Sequence, residues 1–124
     1  MHVLGIDYGE KMVGVAISDG TYAQDLDSFA TNEAIDRIVL QCQQYLIEQI
    51  VIGEGTGRLS QTIDSFGKKL AGLTKLPIIY WDETLTTARA QAVLLTNRST
   101  RKRRRTKEHQ VAAALILQSY LDSL

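Results

Sequence analysis

The 124-residue sequence has one cysteine, one proline, one tryptophan and two phenylalanines. A single cysteine excludes an internal disulfide framework, and with it the small secreted scaffolds that depend on one. Cys42 lies at helical spacing from Val39 and Leu46, beside Leu40, and reads as a core thiol in a reducing compartment rather than as a nucleophile. No stretch of about 18 apolar residues occurs, and no basic-then-apolar leader follows Met1, so neither a membrane span nor a signal peptide is expected. The expected location is the cytoplasm. With Pro77 alone and no interdomain linker, residues 1–124 read as a single domain, long enough to bury a core and too short for two. There is also no net charge, and that absence conceals a strong asymmetry.

Half of the 14 basic residues fall in one short stretch: Arg98, Arg101, Lys102, Arg103, Arg104, Arg105 and Lys107. The first 97 residues hold seven basic against twelve acidic side chains, a net charge of minus five. The protein is thus an acidic body with a cationic arm, and the arm is the part expected to meet a polyanion.

Two β-branched runs, at 3–6 and 12–17, flank Tyr8-Gly9-Glu10-Lys11 and read as a β-hairpin, with Asp7 where the first run stops. A third strand over 22–26 is weakened by Asp25. Ile35, Ile38, Val39, Cys42 and Leu46 share one helix face, which predicts a helix over 33–48 capped by Asn32. A short apolar strand follows at 49–53, then a flexible loop over 54–58 and a helix capped by Ser60 that ends near Thr74. Residues 78–81 form the next strand, 84–95 a helix, the basic stretch a loop, and 107–121 a last helix whose alanines allow close packing on a sheet. An antiparallel hairpin joined to parallel crossovers is the α/β arrangement that results.

In open sheets of this kind, ligands gather beyond the carboxyl ends of the parallel strands. Here the first strand ends in Asp7, the next parallel one in Gly53-Glu54 and the last in Asp82-Glu83. Carboxylates delivered together repel one another unless a cation holds them, and hard oxygen ligands suit Mg²⁺ or Mn²⁺. Two such ions about 4 Å apart activate water and stabilise the leaving oxygen of a phosphodiester. With a cationic arm beside them, hydrolysis of a nucleic-acid backbone is the chemistry the layout points to. An actin-like or sugar-kinase-like ATPase is not expected, because one domain cannot enclose a nucleotide from both sides.

The opening stretch Leu4-Gly5-Ile6-Asp7-Tyr8-Gly9-Glu10-Lys11 running into Val13-Gly14-Val15-Ala16-Ile17-Ser18-Asp19 resembles the YqgF family. That family is also called the RuvX family of pre-16S rRNA nucleases and Holliday-junction-resolvase-like proteins, within the RNase H-like superfamily. Asp82-Glu83-Thr84-Leu85-Thr86-Thr87 and Ala112-Ala113-Ala114-Leu115-Ile116-Leu117-Gln118-Ser119-Tyr120-Leu121 match its later motifs in order. The resemblance implies an RNase H-like mixed five-stranded sheet with helices on both faces. It also implies a metal-dependent nuclease with Mg²⁺ or Mn²⁺ held by Asp7, Glu54, Glu83 and His109, which are its catalytic set. Three departures stand out: Glu54 replaces a Leu-Pro continuation, Thr84 replaces an arginine, and His109 stands where the family has its third aspartate.

The implied partner is precursor rRNA or branched DNA, bound by a monomer or a homodimer, with no membrane. Lys11, Arg58, Arg98, Arg101, Lys102, Arg103, Arg104, Arg105 and Lys107 are the expected nucleic-acid contacts. The alternative is a nucleic-acid-binding protein whose nuclease centre is impaired by loss of the last aspartate. In both cases phosphate contacts dominate. Affinity for structured nucleic acid is expected to fall steeply with added salt and to vary little with base sequence, as binding isotherms at several ionic strengths will show.

Overall fold

The computed structural model describes residues 1–54, 58–81, 85–96 and 101–124, with the backbone alone at 58, 85–87, 96 and 101–106. In chain order the elements are β1 (Val3–Tyr8), β2 (Met12–Ser18), β3 (Ala23–Ala30), α1 (Thr31–Gln44), β4 (Gln49–Gly53), α2 (Arg58–Thr74), β5 (Ile78–Trp81), α3 (Leu85–Thr96) and α4 (Arg101–Asp122). The strands form one mixed sheet in the order β3-β2-β1-β4-β5. β1 pairs antiparallel with β2 and parallel with β4, and β4 pairs parallel with β5. The hairpin joined to parallel crossovers is therefore present, with β1 at the centre. No helix among the described residues is long and apolar enough to cross a membrane.

Alternation along β1 divides its side chains between two layers. Leu4, Ile6 and Tyr8 face α2, where the Tyr8 ring meets Phe66 at 4.9 Å between centroids. Gly5 and Asp7 face α4, and their partners across the hairpin, Ala16 and Gly14, share that side. Fully buried Leu4, Ile6, Val13 and Val15 each contribute about 1.5–3 kcal/mol of burial energy to the α1/α2 side. The α4 side works differently, because its residues are small. A Cβ on Gly5 would meet the Leu117 Cβ at 2.7 Å, and one on Gly14 would meet the His109 carbonyl carbon and oxygen at an impossible separation. These glycines, with Ala112 and Ala113 on the helix, let the α4 backbone lie close over β1 and β2. α3 packs against α4.

Several boundaries differ from the sequence expectation. β3 runs over Ala23–Ala30 rather than 22–26, with an irregularity in its pairing opposite Val15 and Ala16 that accommodates Asp25 and Asp27. α1 begins at Thr31 without a side-chain cap from Asn32; the Thr31 hydroxyl instead donates to the Gly9 carbonyl at 2.7 Å, and its N–H donates to Lys11 at 2.9 Å. The same helix stops at Gln44 rather than 48, because Leu46 takes a left-handed conformation (φ 53°). There the Leu46 and Ile47 N–H groups return to Gln43 and Cys42, a Schellman closure made without glycine. α2 starts at Arg58, ahead of the Ser60 cap. The stretch expected as a basic loop is helical from Arg101, since Arg and Lys are good helix formers and neither Gly nor Pro interrupts them.

Cys42 is buried as expected, and burial pushes its thiol up to about 11. The stringent contact is Gly14. Gly14→Ala forces a methyl group against backbone atoms of α4, which cannot rotate aside, so a loss of about 3 kcal/mol is expected in urea denaturation, at the upper end of overpacking costs.

Candidate active site

Asp7 comes one residue before the end of β1, on the face covered by the start of α4, and its side chain is 0% exposed. A carboxylate removed from water needs donors in place. It has two. Arg89 of α3 donates from Nε to Oδ1 and Oδ2 at 3.3 and 3.4 Å, and from Nη2 to Oδ1 at 3.1 Å. The same Nη2 donates to the Tyr8 carbonyl at 2.6 Å, which ties the guanidinium to the strand as well as to the acid. His109 of α4 places Nδ1 3.0 Å from Oδ2. A carboxylate only accepts, so the hydrogen in that contact belongs to His109, and Nε2 is the acceptor of the neutral ring.

The two partners reach Asp7 because nothing stands at Gly9. A Cβ there would lie 3.1 Å from His109 Cε1 and 3.5 Å from Arg89 Nη2, and 2.5 Å from the Met12 carbonyl oxygen. An open hollow of about 360 Å³ lies beside them, lined by Gly9, Glu10, Lys11, Met12, Leu59, Arg89 and His109. Arg89 is 35% exposed and His109 is 24% exposed, so the two groups that hold the buried acid also border solvent.

Of the expected catalytic and metal-binding set, Asp7 and His109 meet. Glu54 does not join them. It follows β4, its N–H donates to the Trp81 carbonyl at 2.9 Å, and it lines a second hollow of about 380 Å³ with Ser60, Gln61, Ile63, Asp64 and Tyr80. The reason is the strand period: Ile52 pairs with Ile6 on the α2 side, and Glu54 is two residues further along that face, whereas Asp7 is on the other. Glu83 and Arg98 lie outside the described residues, as do the side chains of Arg58, Arg101, Lys102, Arg103, Arg104 and Arg105. Lys11 borders the Asp7 hollow. Lys107 instead donates to Asp25 on β3 at 2.6 Å, beside Gln110 at 2.9 Å. Burial pushes the Asp25 acid up, but Lys107 and Gln110 outweigh it and hold the group below the usual carboxylate range.

Arg89 was not anticipated. It is the one basic residue between Lys75 and Arg98 in the sequence, and it is flanked by Ala88 and Ala92 on the buried side of its helix. A lone cation on the shoulder of an apolar helix face was the available signal.

The resemblance implies a divalent ion at Asp7, and the donor set tests that directly. Among the described residues no group of three or more His, Cys, Asp or Glu side chains could hold a metal ion. Both oxygens of Asp7 are already engaged by N–H donors. The described residues therefore do not make up a metal site.

A mixed five-stranded sheet with an acid at the end of its central strand and helices on both faces is an RNase H-like fold, and resolvases are among the solved structures it matches. The fowlpox virus Holliday junction resolvase superposes with a TM-score of 0.62 at 15% identity over the whole of both chains. Thermus thermophilus RuvC superposes at 0.60 with 14% identity, covering 99% of this chain and 96% of that one. In sequence, proteins of Bacillus cytotoxicus and Bacillus mycoides, provisionally named pre-16S rRNA nucleases, are each 38% identical over 136 aligned positions spanning 99% of both chains. Residues 1–123 match the RuvX family, described as Holliday junction resolvase, and the chain belongs to that family of nucleases.

Leaving Asp7 buried with His109 alone is costly. Arg89→Ala is expected to lose about 3 kcal/mol of stability. Adding Asp7→Asn should recover part of that, giving a coupling of about 1–3 kcal/mol in a double-mutant cycle read by urea denaturation.

Proposed function

We propose that the protein hydrolyses phosphodiester bonds of structured nucleic acid in the cytoplasm, with precursor rRNA as its substrate. Full-length relatives at 38% identity that carry the rRNA-nuclease name support rRNA over junction DNA, for which the support is likeness of fold. A monomer suffices for trimming rRNA, whereas resolving a junction needs two sites in a symmetric dimer.

The observation that carries the reading is the Asp7–His109 contact at the edge of an open hollow that Arg89 and Lys11 border. With Nδ1 donating to Asp7, the His109 Nε2 lone pair is the base available to take a proton from an attacking water. The water oxygen bonds to phosphorus as the bond to the leaving ribose oxygen breaks. Charge gathers on the phosphoryl oxygens, and the cationic groups of Arg89 and Lys11 border the space where it develops. Asp7 holds the imidazole in the required tautomer and stabilises the imidazolium that follows, which then returns the proton to the leaving oxygen. Glu83 stays in the proposed set, whereas Glu54, in the other hollow, takes no part in this step; the arm from Arg98 to Lys107 follows the phosphate backbone. Mg²⁺ or Mn²⁺ would have to win Asp7 from Arg89 and His109 before serving here.

That same neutralisation of Asp7 favours a second reading, in which the protein binds nucleic acid without turning it over. Two variants separate the readings. If the protein is a nuclease that uses its histidine, purified wild type cleaves precursor rRNA, Asp7→Asn loses at least about 100-fold in rate, and His109→Asp loses activity too. If the centre is impaired, wild type binds without cleavage and His109→Asp gains it. Cleavage that survives Asp7→Asn would exclude Asp7 from the chemistry altogether.

A further inference from the structure

We infer that Arg89 is the resident cation of the Asp7 carboxylate and keeps divalent metal ions off it while no nucleic acid is bound. The inference rests on the reading of Asp7 as the carboxylate of the reaction centre. It begins from a disagreement: the family resemblance implies a metal at Asp7, and the described donor set is arranged around a guanidinium instead.

Geometry sets the two cations in competition for the same oxygens. Arg89 Nη2 is 3.1 Å from Oδ1, and His109 Nδ1 is 3.0 Å from Oδ2. Mg²⁺ binds oxygen at about 2.1 Å, so an ion on either oxygen would lie no more than about 5 Å from one of those nitrogens. A divalent charge that close to a guanidinium, on a carboxylate with no exposure to water, is repelled. Nor is Arg89 free to drift. Its Nη2 is anchored by the Tyr8 carbonyl at 2.6 Å, and the missing side chain of Gly9 gives it room. Lys11, on the rim of the same hollow, adds a further positive charge. Among the described residues, Glu10 is an acid on the rim of this hollow, and Glu54 lines the other one.

An exchange of one cation for another on a shared carboxylate is a negative coupling, and it is measurable without any reaction. Mn²⁺ alone is titrated into the full-length protein with no nucleic acid present, the free ion being followed by its paramagnetic resonance. Arg89→Gln keeps a donor for the Tyr8 carbonyl, and Arg89→Met keeps the apolar stem; both are expected to bind Mn²⁺ at least about tenfold more tightly than wild type. The gain should vanish when Asp7→Asn is added to either. Affinity unchanged or weakened in the Arg89 variants, or a gain that survives Asp7→Asn, would overturn the inference. Should the variants unfold, wild type still decides: the Arg89 Nε–H proton resonance stays in place as diamagnetic Mg²⁺ is added, whereas a saturating shift would show that the metal displaces the guanidinium. Because these readouts involve no substrate, an absence of rRNA cleavage would count against the proposed function and leave this result standing.

Discussion

An ionised carboxylate buried beneath a helix, at the end of the central strand of a sheet, is costly unless groups that cost little to bring there surround it. Asp7 is in that position, and the elements around it are arranged to meet the demand. Its guanidinium comes from α3 and its imidazole from α4, 82 and 102 residues away along the chain. Neither partner could reach the acid if α4 stood at the usual distance from a sheet. Gly5, Gly14 and Ala16 on the strands, facing Ala112 and Ala113 on the helix, remove the side chains that would hold it off. Charge and packing are therefore one constraint: the glycines admit the helix, and the helix closes the acid from water. The start of α1 is tied to the same region through Thr31, which hydrogen-bonds to the turn carrying Gly9 and Lys11.

The strand period then gives the edge of the sheet two unlike sides. On the α4 side, Asp7 is consumed by its partners, and what borders the hollow includes Arg89, Lys11 and His109. On the α2 side, Glu54 and Asp64 share a hollow with Ser60, Gln61 and Tyr80. The two hollows thus differ in charge character: Arg89, Lys11 and Glu10 border the first, and the carboxylates of Glu54 and Asp64 the second.

Much of this architecture was legible from apolar periodicity. The hairpin, both parallel strands, all four helices, and Asp7 at its strand end follow from patterns within windows of a dozen residues. The errors have local causes. Leu46 closes α1 in a left-handed conformation that glycine ordinarily marks, so the apolar pattern ran on past the true end. The arginines from Arg101 onward carry no apolar periodicity and read as a loop, although their backbone propensity is helical. The resemblance puts His109 in the catalytic set, and in the fold its ring lies against the end of β1. Its partner is Asp7 itself, which sequence order could not show.

What the sequence determined by itself is the class of fold and the central acid: strand and helix periods, the order of elements, and the motifs around Asp7 are local properties that survive without coordinates. What the tertiary structure alone decided is which charges meet. Arg89 and Glu54 are both plain in the sequence as charged residues, one within α3 and one just after β4, yet one touches Asp7 and the other does not. That outcome depends on which face of the sheet each side chain occupies and on how closely one helix can lie over two glycines, and both are settled only when distant segments pack.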